Sequence, residues 1–321
     1  TIRMQGLAIE EDSARPVEKK EGEVVYRLDR LGFPLIELST EPDIHSPEEA
    51  KMTALKMGEL MRITGRVKRG LGTIRQDINI SVPHGARVEL KGVQELDLID
   101  EYVRREMHRQ NTLLQLKKTL VGEGLTKEMI ESQGGVDVTP LFQKSTAKMI
   151  LAARNEGHVI HALRLPHFNK KMGMEVQPGR RVGSELSSYV KAKAGLRGLL
   201  HGDELPGYGI TEDDVKRIRE MVHAGEKDSF ALVIGPEKTV EFAIGVIRDR
   251  AAYVLEGIPA ETRNAIEGGN SEYSRPLAGA ARMYPETDAH TIEITPQTLH
   301  EIDTHLPRWA EERKRDFIHK G

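Results

Sequence analysis

The stretch RLGFPLIELSTEPDIHSPEEA, Arg30 to Ala50, sets Glu37 between Ile36 and Leu38 in a run apolar enough for a buried strand. Glu41 and Asp43 follow closely. A bare buried carboxylate is costly, so an acid in such a strand calls for a cation. Further acids stand in strand-like text: Glu10, Glu11, Asp12, Asp77 and Glu89. If their strands share one sheet and one facing, Glu11, Glu37, Asp77 and Glu89 converge on a single concave patch. Such a patch repels itself unless a cation sits in it, and oxygen ligands favour Mg²⁺ or Mn²⁺ over zinc. Mg²⁺ in turn recruits nucleotide phosphates. Arg75 and Lys91, each two residues from a strand acid, either hold phosphate oxygens or pair with those acids. A charged edge strand carrying no chemistry is the competing explanation for any one acid alone.

The 321 residues exceed what one compact core usually organises, so two domains are expected. A formal net charge of -3 advertises no global attraction to nucleic acid. The absence of cysteine excludes disulfides, thiolate metal sites and a cysteine nucleophile. No apolar run reaches spanning length and no signal-peptide pattern opens the chain, which reads as soluble and cytoplasmic, with no membrane partner. There is no phosphate-binding G-x-x-x-x-G-K-[ST], no H-E-x-x-H and no G-x-S-x-G elbow. Thr1 begins inside strand-like text, and the chain is read as a piece of something longer.

Residues 1–92 read as short strands around one helix. MQGLAIEED and VVYRLDRLGFPLIELST are strand-like, joined by a charged turn, RPVEKKEGE. HSPEEAKMTALKMGELMRITG is the helix, with Ser46 as N-cap, Pro47 in the first turn, Glu49 closing a capping box and Gly65 as the stop. A long helix is expected from about Val93 to Val121. Its charged face, Arg104, Arg105, His108, Arg109, Lys117 and Lys118, is either solvated or an RNA-backbone contact. From about Gly157 to Gly257 strand and helix alternate, with helices capped by Ser184 and Thr211 and one stopped by Gly195. The text after it resembles the first part, so the middle reads as an insertion and the outer parts fold together.

IEEDSARP, RLGFPLIELSTEPDIHSPEEA, GTIRQDINISV, RVELKGVQELD and ARMYPETD, in that order, resemble the B-type and E-type subunits of tRNA-dependent amidotransferases. The inserted block makes the archaeal E-type branch, which acts on glutamyl-tRNA(Gln), the nearer likeness. The resemblance implies an α+β fold: a glutamine-synthetase-like cradle on a mainly antiparallel sheet, interrupted by an α/β GAD domain. The cradle would take residues 1–145 and 258–306, the insertion 146–257, and a helical domain would start at 307–321. It also implies ATP-dependent phosphorylation of the γ-carboxylate of Glu-tRNA(Gln), then displacement of phosphate by ammonia, with ATP and Mg²⁺ as cofactors. Glu11 and Glu37 would be metal ligands, Arg75 and Lys91 would hold nucleotide phosphate, and Asp77 and Glu89 would line the ammonia exit. Glu286 and Asp288 in YPETD would close the far wall. The implied partners are an asparaginase-like amidase, the D-type subunit of these enzymes, and Glu-tRNA(Gln), in a heterotetramer of two D-type and two E-type chains. A fragment without the family's outer parts would be inactive alone. A non-catalytic RNA-binding scaffold and an ATP-dependent ligase acting on a free acid are the rivals.

Overall fold

The computed structural model describes residues 1–20, 22–70, 72–277 and 293–320. The chain divides into two compact units, Thr1–Ile74 with Ile292–Gly321, and Arg75–Thr291. These divisions lie elsewhere in the sequence than the boundaries at 145/146 and 257/258.

The first unit opens with β1 (Met4–Glu11), β2 (Arg15–Lys20), β3 (Glu23–Arg27) and β4 (Pro34–Thr40). β1 pairs antiparallel with β4, and β2 with β3. RPVEKKEGE is therefore mostly strand rather than turn. Its reversal includes Gly22, whose φ of +78° would strain a side chain. The run from Val24 to Thr40 is two strands, because backbone bonds from Leu31 to Leu28 and from Phe33 to Arg30 close a turn inside it. α1 (Pro47–Ile63) starts at Ser46, whose hydroxyl accepts the Glu49 N–H at 3.1 Å. Glu49 does not close the box on Ser46; its carboxylate accepts the His45 N–H at 2.8 Å.

The second unit contains β5 (Gln76–Ile80), β6 (Val88–Val93), α2 (Ile99–Gly122), α3 (Lys127–Glu131), β7 (Gly135–Asp137), α4 (Lys148–Asn155) and β8 (Val159–Leu165). It continues with β9 (Glu175–Gln177), β10 (Arg180–Arg181), α5 (Val182–Ala194), β11 (Leu200–His201), α6 (Glu212–Met221), β12 (Ser229–Gly235), α7 (Glu237–Tyr253), β13 (Glu261–Ile266) and β14 (Asn270–Pro276). One four-stranded sheet, ordered β11-β12-β8-β7, is antiparallel throughout. Ile160 and Ala162 of β8 share a face with Leu232 and Ile234 of β12 and join Phe142, Ile150, Ile210 and Ile218 in an apolar core. The other four-stranded sheet, ordered β14-β13-β6-β5, pairs strands from either side of the middle block, and β9 and β10 form a separate antiparallel pair. Its β6–β13 pair is parallel, with Glu261 beside Val88, and its remaining pairs are antiparallel.

α2 starts at Ile99, later than expected, because Val93 belongs to β6 and a short 3₁₀ turn, Leu96–Leu98, intervenes. α5 is capped by Arg181, not Ser184. Ser184 lies three residues in and its hydroxyl accepts the Arg181 N–H at 3.1 Å. Thr211 does cap α6, and Gly195, at φ +68°, ends α5 in the left-handed conformation that favours glycine. The chain returns to the first unit with α8 (Pro296–Thr304) and α9 (Ala310–His319). Among the described residues no helix is long and apolar enough to cross a membrane.

Candidate functional site

The sheet formed by β5, β6, β13 and β14 has one buried face and one more open, polar face. Alternation along β6 buries Val88 and Leu90 and leaves Glu89 and Lys91 on the other side; Val93 is buried beyond the register irregularity at Gly92, whose φ is +78°. Lys91 Nζ lies 2.8 Å from Asp77 Oδ2 on β5 and 3.5 Å from Glu89 Oε1. Burial opposes its charge, but the Asp77 hydrogen bond and both carboxylates hold the ammonium above its ordinary pKa. Thr262, on the parallel neighbour β13, donates its hydroxyl to Glu89 Oε2 at 2.8 Å. Asn79 stands opposite Glu89, and Asn264 opposite Lys91. Of the two roles open to Lys91, the geometry gives it the acids as partners. Arg75 is exposed immediately before β5. This face presents two oriented carboxylates around one ammonium, an arrangement suited to accepting protons from a small cationic donor.

Glu11 and Glu37 belong to the first unit and to a different sheet, the β1–β4 ribbon, so the four acids do not share one sheet as expected. The ribbon's register sets Ala8 opposite Glu37, Leu35 opposite Glu10 and Pro34 opposite Glu11. Because side chains alternate, Glu10 and Glu37 share a face as diagonal neighbours, whereas Glu11 extends the opposite face with Leu7, Ile9, Ile36 and Leu38. Glu10, Glu11 and Glu37 are all exposed, which answers the cost of an acid in that strand: water reaches it. Asp43 is engaged differently. The Arg3 guanidinium donates to both its oxygens, at 2.7 and 2.9 Å, and holds its carboxyl down at about 2. Among the described residues no group of three or more His, Asp or Glu gathers as metal ligands do. Glu286 and Asp288 lie outside the described residues.

The opposite face of the second unit's sheet holds a constellation that sequence reading misplaced. Arg109, expected on a solvated or RNA-binding face of α2, is 0% exposed. Its guanidinium donates to Glu106 at 2.8 and 2.9 Å and to Glu185 of α5 at 3.1 Å. Arg263 of β13 donates to Glu185 and Glu261, and Gln110 donates to Glu106 at 2.9 Å. Burial alone would raise the Glu185 carboxyl, but Arg263 and Arg109 hold it at about 2. The Tyr189 hydroxyl donates to Glu261, its ring stacks on Tyr273 at 3.7 Å, and the buried Arg250 guanidinium lies 5.2 Å from the Tyr189 centroid. Three carboxylates and three arginines thus balance inside the unit, which is what makes buried charge tolerable. The available signal was spacing: Glu106, Arg109 and Leu113 fall on the same stripe of α2 as Ile99 and Tyr102.

Comparison with known proteins bears on all of these residues. A model of the GatB/GatE catalytic domain matches residues 1–300. The E-type subunit of the glutamyl-tRNA(Gln) amidotransferase from Thermococcus gammatolerans is 47% identical over 318 residues, covering 99% of this chain and 50% of its own length. Proteins of the same description from Saccharolobus solfataricus and Pyrococcus furiosus are each 44% identical, over 322 and 318 residues. These cover 100% and 99% of this chain, and 51% and 50% of their own lengths. The chain spans about half the length of the curated relatives it matches. With the polar sheet face, the acidic ribbon and the buried ion network all inside the matched span, the chain belongs to the GatB/GatE catalytic domain family.

Proposed function

We propose that this chain is the transamidation part of a tRNA-dependent amidotransferase, converting glutamate on tRNA(Gln) to glutamine by phosphorylation from ATP and displacement with ammonia. The observation that carries it is the family match over residues 1–300. The names of the relatives supply the substrate. An asparaginase-like amidase of the D type would deliver the ammonia, in a cytoplasmic heterotetramer of two D-type and two E-type chains.

The polar face supports the second half of the reaction. Ammonia must arrive uncharged to attack an acyl phosphate, so ammonium has to lose a proton nearby. Asp77 and Glu89 are the acceptors in this reading, and Lys91 fixes them while lowering their mutual repulsion. Arg75 remains the candidate phosphate contact beside this face. For Mg²⁺ the fit is incomplete: Glu37 with a carboxylate of β1 offers hard oxygen donors, but the described residues do not assemble a full ligand set. In the complete enzyme Glu37 and a β1 carboxylate would supply part of the metal's oxygen shell, and the metal would neutralise phosphate charge there.

The test uses the complete enzyme with ammonium as nitrogen donor. Phosphoryl transfer from labelled ATP to Glu-tRNA(Gln) is followed separately from Gln-tRNA formation. Asp77→Asn and Glu89→Gln should keep the first and lose most of the second. ATP turnover stimulated by free glutamate instead of Glu-tRNA(Gln) would favour a small-molecule ligase, and no turnover with either would favour a scaffold.

A further inference from the structure

Thr262 touches the polar face without being exposed on it. It is 1% exposed, yet its hydroxyl reaches Glu89 Oε2 at 2.8 Å from the neighbouring parallel strand. A buried hydroxyl must donate to something, and here the acceptor is one oxygen of a side chain 22% exposed. The other oxygen, Oε1, faces Lys91 Nζ at 3.5 Å. Glu89 is therefore held at both oxygens, by β13 on one side and by the Lys91 ammonium on the other, while Lys91 is drawn toward Asp77 at 2.8 Å. A glutamate side chain has three rotatable bonds, and this pair of contacts selects one orientation among many.

We propose that Thr262 is a positioning residue for Glu89, fixing the carboxylate so that its open lone pairs face the small cationic nitrogen donor on the polar side of the sheet. The inference rests on the reading of Glu89 as a proton acceptor in amidation. Threonine suits the place because its branched Cβ fits a strand interior and its hydroxyl supplies the donor. Valine matches that shape without the donor, and serine keeps the donor without the methyl group.

Thr262→Val, Thr262→Ser and Glu89→Gln are compared in the complete enzyme with ammonium as nitrogen donor, reading kcat and KM for ammonium apart from single-turnover phosphorylation of Glu-tRNA(Gln). Losing a hydrogen bond to a charged group should lower kcat/KM for ammonium about tenfold in Thr262→Val. Phosphorylation should be unchanged and Thr262→Ser should recover most of the loss. A Thr262→Val enzyme that amidates normally, while Glu89→Gln does not, overturns the positioning role and leaves the reading of Glu89 intact. Normal amidation in Glu89→Gln overturns both. Equal loss of phosphorylation and amidation in the valine and serine variants also overturns the proposal, since that marks a general packing role.

Discussion

Arg263 grips Glu185 with two parallel hydrogen bonds, Nη2 to Oε1 at 2.7 Å and Nη1 to Oε2 at 3.0 Å, across 78 residues of sequence. Both side chains are essentially sealed from water, at 0% and 2% exposure. This fork ties β13 to α5, and Arg109 brings α2 to the same carboxylate. The polar face around Glu89 and Lys91 lies on the reverse side of the strands that carry Arg263 and its neighbour Leu90. The ion network thus forms the floor beneath the candidate site.

Breaking one member of such a network leaves its partners charged and buried. Arg263→Met and Glu185→Gln should each cost about 3–5 kcal/mol in urea unfolding near neutral pH. Arg263→Lys should not rescue, since an ammonium cannot reproduce the two-pronged geometry. A loss below about 1 kcal/mol would show that the network does not hold these elements together.

The same carboxylate predicts an acid limb. Glu185 sits at about 2 in the folded chain against an ordinary value of 4.5. A depressed folded value means the unfolded state takes up the proton first, so the contribution is complete above about 4.5 and declines as pH falls toward 2. Urea midpoints measured across that window should therefore fall more steeply in the natural chain than in Glu185→Gln. Parallel curves would contradict the assignment.

Glycines in two helices should respond oppositely to alanine. A Cβ at Gly183 in α5 would collide with the imidazole of His201, which is 4% exposed and has little room to retreat. Gly183→Ala should cost about 1–3 kcal/mol by overpacking. At Gly245 in α7 the nearest atom is the end of Arg248 at 4.0 Å. There alanine should stabilise by up to about 1 kcal/mol through helix propensity. Thermal unfolding of the two variants decides it.

The ribbon register makes a sharper test of the acidic pair. In the complete enzyme, Glu37→Gln should lower phosphorylation of Glu-tRNA(Gln) at limiting Mg²⁺, with partial recovery when Mg²⁺ is raised. If the register governs, Glu10→Gln should behave like Glu37→Gln and Glu11→Gln should be closer to normal. The reverse ranking would assign the site to Glu11. Glu18→Gln, on an exposed hairpin, is the control that should change nothing.

Local signals in the sequence did determine much of this protein. The Ser46 and Thr211 caps and the glycine stop at Gly195 depend on neighbours a few residues away, and they are where those signals put them. Period-two alternation likewise put Glu89 and Lys91 on one face, because pleating alone sets that side. Which partners those faces meet was decided only by tertiary structure. Thr262 lies 173 residues from Glu89, and no local pattern announces the parallel pairing that brings them together. Arg109 shows the same limit from the opposite direction. A charged residue on a helix reads as solvent-facing, because burying a lone charge is prohibitive. That penalty is lifted only when Glu185 of α5 and Glu261 of β13 join Glu106 of the same helix, and their arrival is a property of the folded chain.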